Sequence, residues 1–231
     1  MNDTKGLMSN SLLYQEKAKL YEKLSQAEDK PGKILKKLIP HIQGKTVLDF
    51  GCGTGKYLSL LAPHAKKIIG VDKSIHVLDI ARSKISHHSN IKLIHTNGQS
   101  IHLPDDHIDV TIGCWVLGTI SNINQRQIAL QEIQRVTTPL GQIILIENAP
   151  NSEFEQLRGR MNDPRERTQN YCNWIKKKGF THLSTIKTHF QFDSLIEAQT
   201  TFKTIWPKTS KPEIESNQIK HQVDLWTLRT C

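Results

Sequence analysis

Short apolar runs at 45–50, 67–72, 91–95, 108–114 and 142–147 read as β-strands. Between and around them, apolar residues recur with helical spacing. Ala129, Ile133 and Val136 mark one face of such a helix, and 75–86 forms another. A polar helical segment is expected over 10–28, with Leu12, Leu13, Leu20, Tyr21 and Leu24 as its apolar positions. Asp29 is placed to cap a second helix, with Pro31 in its first turn and Ile34, Leu35 and Leu38 turned to the core. Asp163-Pro164 opens a later helix that stops at Gly179. A strand near 182–191, a helix over 194–205 and the alternating Val223–Leu228 strand follow. Strands that alternate with helices predict an α/β fold with a mostly parallel sheet covered on both faces. The division expected is a helical amino-terminal segment, 1–40, serving as a lid, and a single domain over 41–231.

The first strand runs into Asp49-Phe50-Gly51-Cys52-Gly53-Thr54-Gly55-Lys56. Glycine at every second position lets the backbone turn sharply and lets a ligand approach main-chain atoms. Strand, glycine loop and helix together make a nucleotide-type pocket. A phosphate-binding P-loop needs glycine at position 50 and Ser or Thr at 57, but these are Phe50 and Tyr57. The dinucleotide fingerprint needs a third glycine where Lys56 stands. Both are excluded, and Asp-x-Gly-x-Gly-x-Gly remains.

That motif resembles the first motif of the class I S-adenosylmethionine-dependent methyltransferases, and the small type 11 domains among them. Three further segments carry the resemblance. Lys67–Asp72 ends in an acid 21 residues after Gly51, where it can accept hydrogen bonds from ribose hydroxyls. Asn97–Pro104 is similar to the family's adenine-binding turn, with Gln99 where an acid is frequent. Ile108–Trp115 and Pro139–Glu147 match the fourth and fifth strands. The resemblance implies a Rossmann-like, seven-stranded, mostly parallel sheet whose last strand is antiparallel. It also implies S-adenosyl-L-methionine as cofactor, with S-adenosyl-L-homocysteine as its product.

Carried onto this sequence, the family's pattern assigns the cofactor to Asp49, Gly51, Cys52, Gly53, Gly55, Asp72, Lys73, Gly98, Gln99, Ser100, Cys114 and Trp115. Asp49 would partner the donor's amino group. Gly51 and Gly53 would bring backbone to its methionine part. Asp72 would hold the ribose, and Gly98, Gln99 and Ser100 would frame adenine. Cys114 and Trp115 would lie near the methyl. No general base stands out, and Trp115, His102 and Glu147 are the catalytic candidates. Tyr14, Tyr21, Asn148 and Arg158 are candidates to line the acceptor. Each has a plainer reading, Asp49 as a helix cap, Cys114 as a small core residue and Tyr14 and Tyr21 as helix packing.

Charge alters the choice of acceptor. The chain of 231 residues has 31 Lys and Arg against 22 Asp and Glu, a net charge of +9. Basic chains attract phosphate-rich partners. Lysines crowd the amino-terminal helices, and Lys176-Lys177-Lys178 forms a second patch, yet few aromatics lie among them for base stacking. Cys52, Cys114, Cys172 and Cys231 lie far apart with no C-x-x-C pair, so neither a zinc site nor a disulfide framework is expected. No run of apolar residues is long enough to span a membrane, and the start lacks an apolar signal segment, so a cytoplasmic location is expected.

The expectation is therefore methyl transfer to an O, N or S atom of a small molecule, with no metal and no DNA partner. Two alternatives stand beside it, a tRNA or rRNA methyltransferase using the basic surface and a catalytically inactive S-adenosylmethionine-binding regulatory module.

Overall fold

The structure is a computed structural model, and it describes residues 18–150, 152–158, 164–207 and 213–230. Tyr14, the 10–17 part of the first expected helix and Cys231 lie outside these residues. In chain order the elements are α1 (Ala18–Ala27), α2 (Lys33–Ile42), β1 (Thr46–Phe50), α3 (Lys56–Leu61), β2 (Lys67–Asp72), α4 (Ile75–Ile85), β3 (Ile91–His95) and β4 (Ile108–Cys114). After a 3-10 turn at Leu117–Thr119 come α5 (Ile123–Val136), β5 (Thr137–Asn148), α6 (Glu153–Leu157), α7 (Pro164–Lys177), β6 (Thr181–Gln191), α8 (Leu195–Ile205) and β7 (Gln218–Arg229).

The strands form one seven-stranded sheet in the order β3-β2-β1-β4-β5-β7-β6. β1, β2, β3, β4 and β5 pair in parallel, and β7 is antiparallel to both β5 and β6. The order reverses between β1 and β4, the crevice where open α/β sheets hold ligands.

Strand parity assigns the two faces, because successive side chains point to opposite sides. Val47, Ile68, Val110, Ile112, Ile144 and Ile146 join a buried cluster with Ile34, Leu38 and Ile42 of α2, Leu58 and Leu61 of α3 and Leu78 of α4. Leu48, Phe50, Ile69, Val71, Ile143 and Leu145 turn the other way, onto Ala129, Leu130 and Ile133 of α5 and Tyr171 and Ile175 of α7. A third cluster joins α1, α6 and α8 through Leu24, Phe154, Phe190 and Phe202. Burial of each large aliphatic or aromatic side chain is worth about 1.5–3 kcal/mol, so α2 is bound into the sheet domain rather than laid upon it.

The start of α2 differs from the sequence expectation in one detail. Gly32, in the left-handed region at φ 66, takes the N-cap position, and Pro31 lies before the helix. Asp29 still serves the helix end, since its carboxylate accepts from the N–H of Lys33 at 3.0 Å and of Ile34 at 2.8 Å. Thr188 Oγ1 of β6 donates to the same carboxylate at 2.6 Å, tying α2 to the far edge of the sheet. β5 and β7 are also longer than the apolar runs indicated. β5 continues back through Thr137–Gly141, where the left-handed Leu140 (φ 63) bends it, and β7 starts at Gln218 because β6 pairs with it over that whole length.

Candidate functional site

The glycine loop joins the carboxyl end of β1 to α3. Its three glycines all adopt left-handed backbone, Gly51 at φ 76, Gly53 at φ 54 and Gly55 at φ 78, a region that costs other residues roughly 1–2 kcal/mol each. Space forbids side chains as well. A Cβ on Gly51 would stand 2.4 Å from Val116 Cγ2, and one on Gly55 3.0 Å from the Ala81 Cβ. The N–H groups of Gly51 and Cys52 both donate to Val71 O, at 2.8 and 3.0 Å, which folds the loop back against the end of β2.

Asp72, the last residue of β2, secures the loop's middle. Its Oδ2 accepts from the Gly53 N–H at 3.0 Å, and its Oδ1 from the Ser74 N–H at 2.9 Å. Each carboxylate oxygen keeps a further lone pair for a ligand hydroxyl. Asp49 lies one strand over, buried, and pairs in register with Gly70 and with Ile112. Burial, with the Asp72 charge beside it, pushes Asp49 up to about 7. Burial likewise raises Asp72, against the pull of the Ser74 and Gly53 N–H groups. Two neighbouring acids destabilised in this way favour a cation between or beside them. Buried hydroxyls of Thr54 and Ser74 have no hydrogen-bond partner among the described residues, as expected where a polar ligand completes the site.

The remaining cofactor candidates fall around this rim. Cys52 is buried, and its thiol is pushed well up by burial and by Asp49 and Asp72, which leaves it unreactive. Lys73 is exposed next to Asp72. Gly98 is left-handed at φ 78, and a Cβ there would meet Phe50 Cζ at 2.7 Å, so its turn packs directly on the end of β1. Asn97 Oδ1 accepts the Gln99 N–H at 3.0 Å, and Thr96 Oγ1 donates to Ser100 O at 2.7 Å, which fixes the turn's shape. Cys114 ends β4, within reach of the charges of Asp49, Glu28, Lys56 and Glu147. Trp115 follows it in left-handed backbone at φ 52, its N–H donating to Ile146 O at 2.8 Å. A bulky residue at that φ is a strained outlier of the kind that clusters at functional sites.

Tyr21 of α1 covers the loop, since a Cβ on Gly53 would lie 3.3 Å from Tyr21 Cε1. Ion pairs fix α1 in place, Glu22 with Lys84 of α4, Lys23 with Glu197 of α8 at 3.1 Å, and Glu28, just past its end, with Lys56 of α3 at 3.7 Å. Lys56 Nζ also donates to Glu28 O at 2.5 Å.

Other candidates are dispersed. Glu147 faces the α5–α7 side of the sheet, where Tyr171 Oη donates to its Oε1 at 2.8 Å; burial pushes it up to about 8 despite this bond and the nearby Arg126 and Arg158. Asn148 faces the opposite side and meets His221 of β7. Arg158 pairs with Glu155 and lies over the Phe154 ring. His102 is exposed in the loop before β4. Glu28 and His221 were not among the residues singled out in sequence. His221 is wholly buried, with its Nε2 3.0 Å from Asn148 Oδ1 and its Nδ1 3.3 Å from Glu28 Oε1. Its i, i+2 spacing to Val223 and Leu225 is the signal that places it on the same inward face. Among the described residues no cluster of His, Cys, Asp and Glu is arranged to hold a metal, and no helix is long and apolar enough to cross a membrane.

Comparison with known proteins fits this geometry. Residues 48–145 match the family model described as a methyltransferase domain. The demethylmenaquinone methyltransferase of Bacillus licheniformis is 36% identical over 116 residues, 48% of this chain and 48% of that protein. The chain thus matches about half the length of this curated relative. A SAM-dependent methyltransferase from Aquifex aeolicus superposes with a TM-score of 0.63 at 18% identity, over 92% of this chain and 96% of the other. The N-methyltransferase NodS from Bradyrhizobium japonicum, in complex with S-adenosyl-L-homocysteine, gives 0.58 at 14% identity, with the same coverage of each chain. The family match is to a methyltransferase domain and spans 48–145, and the two solved structures share the fold of this chain.

Proposed function

We propose that this chain is an S-adenosylmethionine-dependent methyltransferase acting on an O, N or S nucleophile of a small molecule. The observation that carries the reading is the junction at Asp72, which holds the left-handed glycine loop by Gly53 N–H and the start of α4 by Ser74 N–H, beside the buried acid Asp49. That junction offers hydroxyl acceptors, close backbone approach and negative charge within one crevice.

Bound S-adenosylmethionine supplies an electrophilic methyl on a sulfonium cation. Around it, Asp72 would accept from the ribose hydroxyls, and the turn at Gly98, Gln99 and Ser100 would frame adenine. Asp49 would balance the positive charge, while Gly51 and Gly53 would lie along the methionine part. Cys114 and Trp115 would stand where the methyl is presented. Tyr21 over Gly53 supports a roofed site that excludes water and holds both reactants in place. Positioning of that kind is worth up to roughly 7–11 kcal/mol. A roof formed by the chain's own helix also favours a small acceptor over a long nucleic-acid strand.

The test is methyl transfer from donor labelled in the methyl group, with cell extract and, separately, reduced demethylmenaquinone as acceptors. The relative in Bacillus licheniformis makes the latter a defined first choice. Label in the small-molecule fraction is expected. Label in the RNA fraction overturns the small-molecule assignment. Donor binding with no label transferred in any fraction identifies a binding module instead.

A further inference from the structure

Beyond the donor crevice, parity and register bring a second polar group onto the same face of the sheet. Cys114 of β4 pairs with Ile146 of β5, and Asn148, two residues on, pairs with Val223 of β7. His221 lies two residues before Val223. Cys114, Asn148 and His221 therefore succeed one another along the carboxyl rim, on the face that Asp49 shares. Glu28 closes the row from above, joined to His221 at 3.3 Å and to Lys56 at 3.7 Å. It is fixed further by a backbone bridge to Phe190.

The row is rigid. Trp115 stacks on His221 with ring centroids 6.2 Å apart, and Phe154 and Phe190 press on the imidazole at 4.7 and 4.8 Å. With Asn148 Oδ1 accepting, the ring proton sits on Nε2, and Nδ1 turns its lone pair to Glu28 Oε1. Three polar atoms here are buried without a hydrogen-bond partner among the described residues. They are His221 Nδ1, the Trp115 indole N–H and the hydroxyl of Tyr57, whose surroundings include Cys114, Glu28 and Asp49. Tyr57 is only 5% exposed. Buried groups left unpaired need a partner, and an acceptor seated between the methyl and Glu28 would supply one.

We propose that this row is the acceptor's seat, that Glu28 takes the proton from an acceptor O–H or N–H, and that His221, braced by Asn148, is its positioning residue. The proposal rests on the methyltransferase reading above. In the step, a lone pair on the acceptor's O or N forms the bond to the methyl carbon, the carbon–sulfur pair returns to sulfur, and the acceptor's proton passes to the Glu28 carboxylate. Charge balances, and no further reactant is needed.

The charges that face Glu28 come from several elements. Burial pushes it up to about 7, Lys56 of α3 pulls against this, and Asp29 adds to it. His221 of β7 is held down at about 3 by burial, Arg158 and Lys56, so it faces Glu28 as a neutral ring. Glu28 thus titrates in the range useful to a base near neutral pH.

The experiment uses the full chain with S-adenosylmethionine and with S-adenosylhomocysteine, which differ at sulfur by one methyl and one positive charge. The Glu28 carboxyl signal is followed by carbon NMR against pH in each complex, assigned by loss in Glu28→Gln or, if that variant fails to fold, by displacement in Glu28→Asp. A cation within 4–6 Å lowers a carboxylate by about 1–3 pH units, so the midpoint should be lower in the sulfonium complex by about one unit or more. Equal midpoints, with both ligands bound, overturn the assignment of Glu28 while leaving the donor site intact. Failure of both ligands to bind overturns the methyltransferase reading and this proposal with it. His221→Leu should lower the midpoint in the S-adenosylhomocysteine complex, since the Nδ1 lone pair 3.3 Å from Glu28 Oε1 no longer disfavours the carboxylate, and His221→Gln should restore it. A midpoint unmoved in a folded His221→Leu variant removes the positioning role.

Discussion

Tyr21 lies against Gly53, so close that a single added carbon on the glycine would sit 3.3 Å from the tyrosine ring. The contact joins the amino-terminal helix to the middle of the glycine loop. In the proposed complex, donor entry and exit would therefore involve α1. Each buried methylene-sized part of such a contact is worth about 0.8 kcal/mol. Tyr21→Ala is expected to speed dissociation of S-adenosylhomocysteine by roughly 2–10-fold, measured by stopped-flow competition; an unchanged rate would detach α1 from the donor's path.

Asp72 serves two backbone donors and, in the proposed complex, the ribose. Asp72→Ala should weaken donor binding by roughly 1.5–3 kcal/mol, the range for hydrogen bonds to a charged group. Calorimetric titration decides it, with circular dichroism to show that the loop helix is still formed. Full affinity in the variant would take Asp72 out of the site.

Asp49 provides a test by pH. Its folded value is raised from 3.8 to about 7, so between those values the folded protein holds a proton that the unfolded chain has lost. Stability of the ligand-free protein from this group therefore falls as pH rises from about 4 to about 7, and is level above that. A cation bound beside Asp49 lowers its value, so donor binding at pH 6 should release protons, and affinity should rise as pH approaches 7. Calorimetry in two buffers of different ionisation enthalpy reads the proton count directly. Asp49→Asn should reduce the release to what Glu28 and Asp72 contribute, weaken binding and raise the melting temperature of the free protein at pH 8.

Glu147 and Tyr171 form a buried pair on the other face, with Arg126 over the Tyr171 ring at 5.1 Å. Tyr171→Phe removes the donor and leaves a buried carboxyl with one bond fewer, at a cost of about 1–3 kcal/mol. Because Glu147 is raised from 4.5 to about 8, its contribution also favours the folded state least at high pH, declining from about 4.5 to about 8. Urea unfolding at pH 6 and pH 9 should show both effects, with donor affinity of the folded variant near that of the parent. A large loss of donor affinity would instead link Glu147 to the catalytic rim.

The glycine loop and the acid at the end of β2 were legible because their chemistry is local. Three left-handed turns in seven residues demand glycine, and a parallel strand pair places Asp72 beside the loop at a fixed chain spacing. β1, β2, β4 and the second half of β5 were legible for a similar reason, since each buries side chains on both faces and is mostly apolar. Glu28 and His221 were not legible. They are 193 residues apart, and nothing in either's neighbours announces the other.

Sequence by itself determined the alternation of strands and helices, the parallel core with its antiparallel closing strand through family resemblance, and the left-handed backbone of the glycine loop. These depend on periodicity and on conformations open only to particular residues. Tertiary structure alone decided that Tyr21 roofs Gly53, that Glu147 and Asn148 part to opposite faces, and that Glu28 meets His221 beneath Lys56. The reason is geometric: neighbours on a strand diverge by the pleat, while residues far apart in the chain meet only once strand order and register are set.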